Sequence, residues 1–198
     1  MVTSGTPLGS EKSGSIGVPV PGTVVEIVSL DDDETVLGPG ANGEICVSGP
    51  QVMLGYWKKA EETAQIIHDG RLHTGDVGSM DEDGYFYLVG RLKDMIISGG
   101  YKIYPRIVEA AIEEHPNVQD VAVVGLPIPH WGEEVAAFLV LKDGRSLSRD
   151  ELLEFLKDKL SFYELPKSLY LLDELPRSTN AKILKTALRQ NSGTWPQL

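Results

Sequence analysis

Apolar and polar positions along this chain of 198 residues change rhythm near its middle. Up to about residue 90 the apolar runs are short and broken by glycine-rich or acidic turns. Residues 23–28 are β-branched and alternate weakly. Gly43-Glu44-Ile45-Cys46-Val47-Ser48-Gly49 is a strand held between glycines, and Asp81-Glu82-Asp83-Gly84 is a turn leading into a strand over 85–89. Short strands with such punctuation predict a small β-barrel or sandwich. Residues 1–15 carry no period and are rich in Gly, Ser, Thr and Pro, so they read as a loop joined to something upstream.

Beyond residue 90, strands interleave with helical periods. Residues 95–97 form a short strand that runs into Ser98-Gly99-Gly100. Pro105 opens a helix to about His115, because a first-turn N–H has no intrahelical partner to lose; Ile107, Val108, Ala111 and Ile112 give it an apolar face. Residues 118–125 and 134–142 read as strands. Ser148-Arg149-Asp150-Glu151 is a capping box for a helix that places Leu152, Phe155, Leu156 and Leu160 on one side. A last strand falls at 169–172 and a last helix at 181–190. The pattern predicts an α+β protein: loop 1–15, a β-barrel subdomain over 16–91, a junction at 92–93, a compact α+β domain over 94–190, and a tail from 191 to 198.

The formal net charge of -11 argues against a nucleic-acid or anionic-membrane surface as the main partner. Any phosphate-bearing ligand then needs local cations or backbone N–H groups. A single cysteine excludes an internal disulfide and a paired-cysteine zinc cluster, and Cys46 reads as a small buried apolar residue. The histidines, at 68, 73, 115 and 130, show no ligand spacing, so no metal site is expected. No run nears the roughly 20 apolar residues of a membrane span, and no basic-then-apolar leader opens the chain, which places it in the cytoplasm without an integral membrane segment.

Four polar clusters could carry chemistry. His73-Thr74-Gly75-Asp76 reads as a short loop element, in which a carboxylate beside glycine can accept from vicinal hydroxyls such as those of a ribose; equally, the Asp could bond its own backbone in a turn. Gly90-Arg91-Leu92-Lys93-Asp94 sits where the rhythm changes, as a hinge or a solvated linker. Ser98-Gly99-Gly100-Tyr101-Lys102-Ile103-Tyr104-Pro105 lets a ligand approach the backbone, or simply turns. Leu175-Pro176-Arg177-Ser178-Thr179-Asn180-Ala181-Lys182 delivers Lys182 to the start of the last helix, where the helix dipole disfavours a cation.

Taken in order, Thr74-Gly75-Asp76, Gly84-Tyr85-Phe86, Gly90-Arg91-Leu92-Lys93-Asp94, Ser98-Gly99-Gly100, Pro105 with Glu109, Trp131-Gly132-Glu133, and Leu175-Pro176 with Lys182 make a series that resembles the adenylate-forming superfamily. That group holds acyl- and aryl-CoA synthetases, peptide synthetase adenylation domains and beetle luciferases. The resemblance runs over residues 14–190 and implies the C-terminal part of an ATP-dependent acid:CoA ligase, with residues 94–190 as a mobile lid. It assigns Asp76 and Arg91 to AMP, Lys93 to the hinge, Gly99 and Gly100 to a passage for the pantetheine arm of CoA, and Lys182 to catalysis of adenylation.

The implied substrates are a carboxylic acid, ATP and CoA. Mg2+ would accompany ATP on ligands outside this chain, in a missing N-terminal domain, and a homodimer stays open. Two alternatives remain at this point: an adenylation domain that loads a carrier-protein thiol, and a non-catalytic interaction module. The chain departs from the superfamily pattern at Ile107, where an acidic residue is usual, and at Ala181, where glycine is usual.

Overall fold

The computed structural model describes residues 2–4 and 12–198 and forms two compact units, Met1–Lys93 and Asp94–Leu198. Most of the expected N-terminal loop, residues 1 and 5–11, lies outside the described residues. Within it, Thr3–Ser4 is a short strand.

The first unit contains β1 (Thr3–Ser4), β2 (Ser15–Pro19), β3 (Val24–Val28), β4 (Gly43–Ser48), α1 (Ala60–Ile66), β5 (Ile67–His68), β6 (Arg71–Met80) and β7 (Phe86–Arg91). They make a curled antiparallel sheet in the order β1-β2-β7-β6-β4-β3, with β5 paired to β6. Val25, Ile27, Ile45, Val47 and Phe86 form its core. Two elements depart from expectation. The short α1 is absent from the periodicity because it buries no residue and so carries no apolar stripe. Thr74-Gly75-Asp76 is not a free loop but lies within the ten-residue strand β6.

The second unit contains β8 (Ile96–Ser98), β9 (Tyr101–Ile103), α2 (Pro105–Glu113), β10 (Val118–Ile128), β11 (Gly132–Leu141), α3 (Arg149–Leu156), β12 (Ser168–Leu171) and α4 (Lys185–Gln190). The sheet order is β10-β11-β8-β9, and β12 joins β11 in parallel. Both of its faces are covered, which is why β10 and β11 read as continuous apolar runs. Val121, Val123, Val135, Ala137 and Leu139 pack with Val108 and Ile112 of α2 and Leu152 and Leu156 of α3. The alternate residues Ala122, Val124, Ala136, Phe138 and Val140 pack with Leu188 of α4, as the two-residue period of a strand requires. Cutting the fully buried Phe138 to Ala would cost about 3–5 kcal/mol.

Ser148 caps α3 as expected, accepting from the Glu151 N–H at 3.2 Å. The last helix is shorter than its sequence suggests. Residues 181–184 are not helical, because Ala181 takes a left-handed φ of 59° and Arg177 bridges to Ile183 instead. No helix among the described residues is long and apolar enough to cross a membrane.

Candidate functional site

In the first unit, Asp76 is presented by a bulge. Strand β4 pairs with β6 through Cys46↔His73 and Glu44↔Val77, so Thr74, Gly75 and Asp76 stand opposite Ile45 alone. Gly75 sits at φ +73°, and a Cβ there would meet nothing within 4 Å, so glycine is required by torsion rather than by crowding. The Thr74 hydroxyl donates to the Ile45 carbonyl at 2.7 Å and accepts from the Asp76 N–H at 3.1 Å. The Gly75 N–H donates to Glu44 Oε1 at 2.7 Å.

Register then pairs Asp76 with Arg91 of β7, and Arg91 Nε donates to Asp76 Oδ1 at 2.8 Å. Partly exposed on both sides, this pair contributes at most about 1 kcal/mol. Its use lies in holding a carboxylate and a guanidinium side by side. Lys93 is exposed in the 3₁₀ turn Leu92–Asp94, at the end of the first unit.

Behind the bulge the fold gathers residues that show no pattern in sequence. Glu44 Oε2 accepts from His73 Nδ1 at 2.9 Å, the Cys46 sulfur lies 3.5 Å from the same nitrogen, and His68 stacks on His73 at 3.9 Å. Two of the seemingly scattered histidines are therefore neighbours, brought together by the β5–β6 turn. Glu44, Cys46 and His73 each offer a metal-ligand atom, all within 4.8 Å of one another. They are already committed to each other, however. A metal would have to break the His73–Glu44 bond and ionise a thiol that burial, aided by Glu44, pushes up to about 12. Cys46 is fully buried, as the strand pattern suggests, and is no nucleophile at neutral pH.

The second unit holds two further features. Gly99 and Gly100, at φ 56° and 88°, turn β8 into β9 with the two left-handed residues that a tight hairpin demands. A Cβ on Gly99 would come within 2.8 Å of the Trp131 ring, and the Gly99 N–H donates to the Trp131 carbonyl at 2.9 Å. Glu133 accepts from the Ile97 N–H at 3.0 Å and lies where a Cβ on Gly125 would be, which accounts for Trp131-Gly132-Glu133 as a brace for this turn. Beside Gly99 opens a cavity of about 380 Å³ walled by Tyr101, Trp131, Phe162, Tyr163 and Lys167. Tyr101 stacks on Tyr163 at 4.3 Å, and Phe162 meets both rings edge-on. Nothing in the sequence links these aromatics, which come from three separate segments.

Lys182 lies in a hairpin, not at the start of a helix. The Ser178 N–H donates to the Lys182 carbonyl at 2.8 Å, the Ala181 N–H to the Ser178 carbonyl at 2.9 Å, and the Leu184 N–H to the Pro176 carbonyl at 2.8 Å. Arg177 braces the turn, donating to the Ala181 carbonyl at 2.8 Å and to Asp120 of β10. Lys182 is exposed, with no ion-pair partner among the described residues.

The cation that does occupy the first position of α4 is Lys185, and its charge is met by Glu109 of α2 at 2.8 Å. Glu109 is itself buried and also accepts from the Val123 N–H at 2.9 Å, which satisfies a backbone donor on the edge strand β10.

Against known proteins, the model of the AMP-binding enzyme C-terminal domain matches residues 107–182, and the model of the AMP-binding enzyme matches residues 1–57. The chain is 47% identical over 180 residues to the long-chain-fatty-acid–CoA ligase of Escherichia coli O157:H7, covering 91% of this chain and 32% of that protein. It is 47% identical over 184 residues to the feruloyl-CoA synthase of an Amycolatopsis species, covering 93% and 37%. The crystal structure of ATP-bound MatB from Rhodopseudomonas palustris superposes with a TM-score of 0.90 at 34% identity, covering 98% of this chain and 39% of that one. The chain thus spans about a third of the length of the curated relatives it matches.

Proposed function

The chain belongs to the AMP-binding enzyme family, and we propose that it serves as the C-terminal part of an acid:CoA ligase. Such a ligase activates a carboxylic acid as its acyl-AMP and then passes the acyl group to the thiol of CoA, releasing AMP. The observation that carries this reading is the pairing of chemistries across the two units. One unit presents a carboxylate beside a guanidinium on a bulge, and the other presents an exposed ammonium, without an ion-pair partner among the described residues, on a braced hairpin together with an aromatic-walled cavity at Gly99.

In this reading Asp76 accepts from the ribose hydroxyls of the nucleotide, and Arg91, which engages Oδ1, both orients that carboxylate and offers charge to the nucleotide. Lys182 supplies an ammonium where negative charge builds on the α-phosphate as the carboxylate attacks. Lys93 is the pivot that lets the second unit withdraw Lys182 and bring up Gly99 and Gly100, past which the pantetheine arm runs. The flat aromatic walls and Lys167 suit a slender thiol-bearing arm ending in a nucleotide, since aromatic faces stack on bases and an ammonium meets phosphate. Mg2+ would accompany ATP and offset its phosphate charge, held by ligands in a large domain outside this chain.

The test is a chimera in which this chain replaces the matching third of the E. coli ligase. Acyl-CoA synthesis that Lys182→Ala abolishes supports the reading. A folded chimera that forms no acyl-AMP, or one indifferent to Lys182→Ala, overturns it. Acyl-AMP formation followed by transfer to a carrier-protein thiol but not to CoA would redirect the assignment to carrier loading.

A further inference from the structure

Among the described residues Glu44 is the most thoroughly enclosed carboxylate of the first unit, at 5% exposure, and neither the nucleotide contacts nor the thiol step proposed above uses it. A charge taken out of water must be compensated by specific partners, and those it has are informative. Oε1 accepts from the Gly75 N–H at 2.7 Å and Oε2 from His73 at 2.9 Å. The first partner is the middle residue of the bulge that carries Asp76. The second is the residue on which the β4–β6 ladder breaks off before that bulge.

What fixes the bulge can be decided by elimination. Packing at Gly75 does not, since a Cβ there would touch nothing within 4 Å. The β4–β6 ladder does not, since three residues there face Ile45 alone, and on the other side β7 pairs Asp76 with Arg91 but neither Thr74 nor Gly75. Hydrogen bonds remain. Thr74 ties itself to the Ile45 carbonyl and to the Asp76 N–H, but it leaves the Gly75 N–H without a strand carbonyl, and the Glu44 side chain takes that place. His73 holds the carboxylate in position from the other side. Its Nδ1 carries the hydrogen toward Glu44, and Nε2, buried without a partner, is then a bare lone pair rather than a stranded donor.

We propose that Glu44, held by His73, is a positioning residue: it sets the geometry of the Thr74-Gly75-Asp76 bulge and thereby the direction in which Asp76 meets the ribose. The proposal rests on the reading of Asp76 as the ribose contact. It also accounts for a buried acid that does no chemistry of its own. Replacing Glu44 by Gln keeps size but leaves one neutral acceptor oxygen for two donors, the Gly75 N–H and His73 Nδ1, so one of them meets an N–H₂ and the other a weaker acceptor, and the bulge loosens.

The experiment has two arms. In the chain itself, Glu44→Gln should speed exchange of the Gly75 amide about tenfold or more, the effect of losing one hydrogen bond to a charged acceptor, while core amides at Val25, Ile27 and Phe86 keep their protection. In the chimera, Glu44→Gln should raise KM for ATP about tenfold with kcat changed less than about twofold, a split that general destabilisation would not give.

Asp76→Ala is run alongside. If it raises KM for ATP and Glu44→Gln does not, the positioning role is wrong and the ribose contact stands. If Asp76→Ala leaves KM unchanged, the ribose contact itself is wrong and the proposal falls with it. Loss of protection throughout the first unit in Glu44→Gln also overturns it, because Glu44 would then hold the sheet rather than the bulge.

Discussion

The two units present their candidate charges, Asp76 and Lys182, by the same device and secure it differently. In each, a short segment leaves regular pairing at a left-handed residue, Gly75 in one and Ala181 in the other. In each, a charged side chain braces the exit. The brace in the first unit is Glu44, a buried acid bonded to backbone and histidine; in the second it is Arg177, part-exposed and bonded to a carbonyl and to Asp120. Buried bonds exclude competing water, whereas an exposed pair contributes about 0–1 kcal/mol. The bulge of the first unit is therefore held by buried bonds, and the hairpin of the second is shaped but not clamped. A group that must enter and leave a site within one turnover suits the second arrangement.

The largest effect that could break this comparison is at Lys182. In the chimera, Lys182→Ala should slow acyl-AMP formation about 10²–10³-fold, the usual cost of one lost transition-state contact, while thioester formation from supplied acyl-AMP is largely spared. Equal loss in both half-reactions, measured by pyrophosphate exchange and by thioester release, would make the hairpin a fixed part of the site. Next in size, Asp76→Ala should raise KM for ATP about tenfold or more, since a bond to a charged acceptor is worth about 1.5–3 kcal/mol.

The left-handed positions sharpen the contrast with smaller effects of opposite sign. Gly75→Ala incurs about 1–2 kcal/mol of torsional strain and recovers about 0.4–1 from a stiffer unfolded chain, so the first unit should lose roughly 1 kcal/mol. Ala181→Gly reverses both terms and should stabilise the second unit by a similar amount. Urea unfolding, read separately for each unit by amide exchange, measures both. Two changes of the same sign would mean the bends are held for different reasons.

A last effect, confined to alkaline pH, belongs to Cys46. Its thiol ionises near 9.0 in the unfolded chain and at about 12 when folded. Across that window the folded state holds the extra proton, so stability falls as pH rises, and Cys46→Ala should flatten the decline in the first unit alone.

Local signals carried as far as local physics reaches. Pro105 starts α2 and Ser148 caps α3, each through a bond or torsion within a few residues. Strand β6 was hidden because Thr-Gly-Asp is turn chemistry, and here the turn is a bulge inside a strand whose ends are fixed by β4 and β7. The helix expected over 181–190 lost its first turn for a similar reason. Arg177 and Ser178 offer the backbone of 181–183 better partners than a helix would, and Lys185 is drawn to a carboxylate 76 residues away. As a result, the unfavourable cation at the helix start is Lys185, whereas the sequence pointed to Lys182.

By itself, then, the sequence determined the fold class, the change of architecture near residue 90, most helices and strands, and through its ordered motifs the family. Each of these depends on propensity, capping or periodicity, which are settled between neighbours along the chain. Only the tertiary structure decided that Asp76 stands beside Arg91, that Glu44 and His73 close behind it, that Tyr101, Trp131, Phe162 and Tyr163 wall one cavity, and which of two nearby lysines has no ion-pair partner among the described residues. Those facts rest on strand register and on contacts between residues 15 to 76 positions apart, and no local pattern encodes such a meeting.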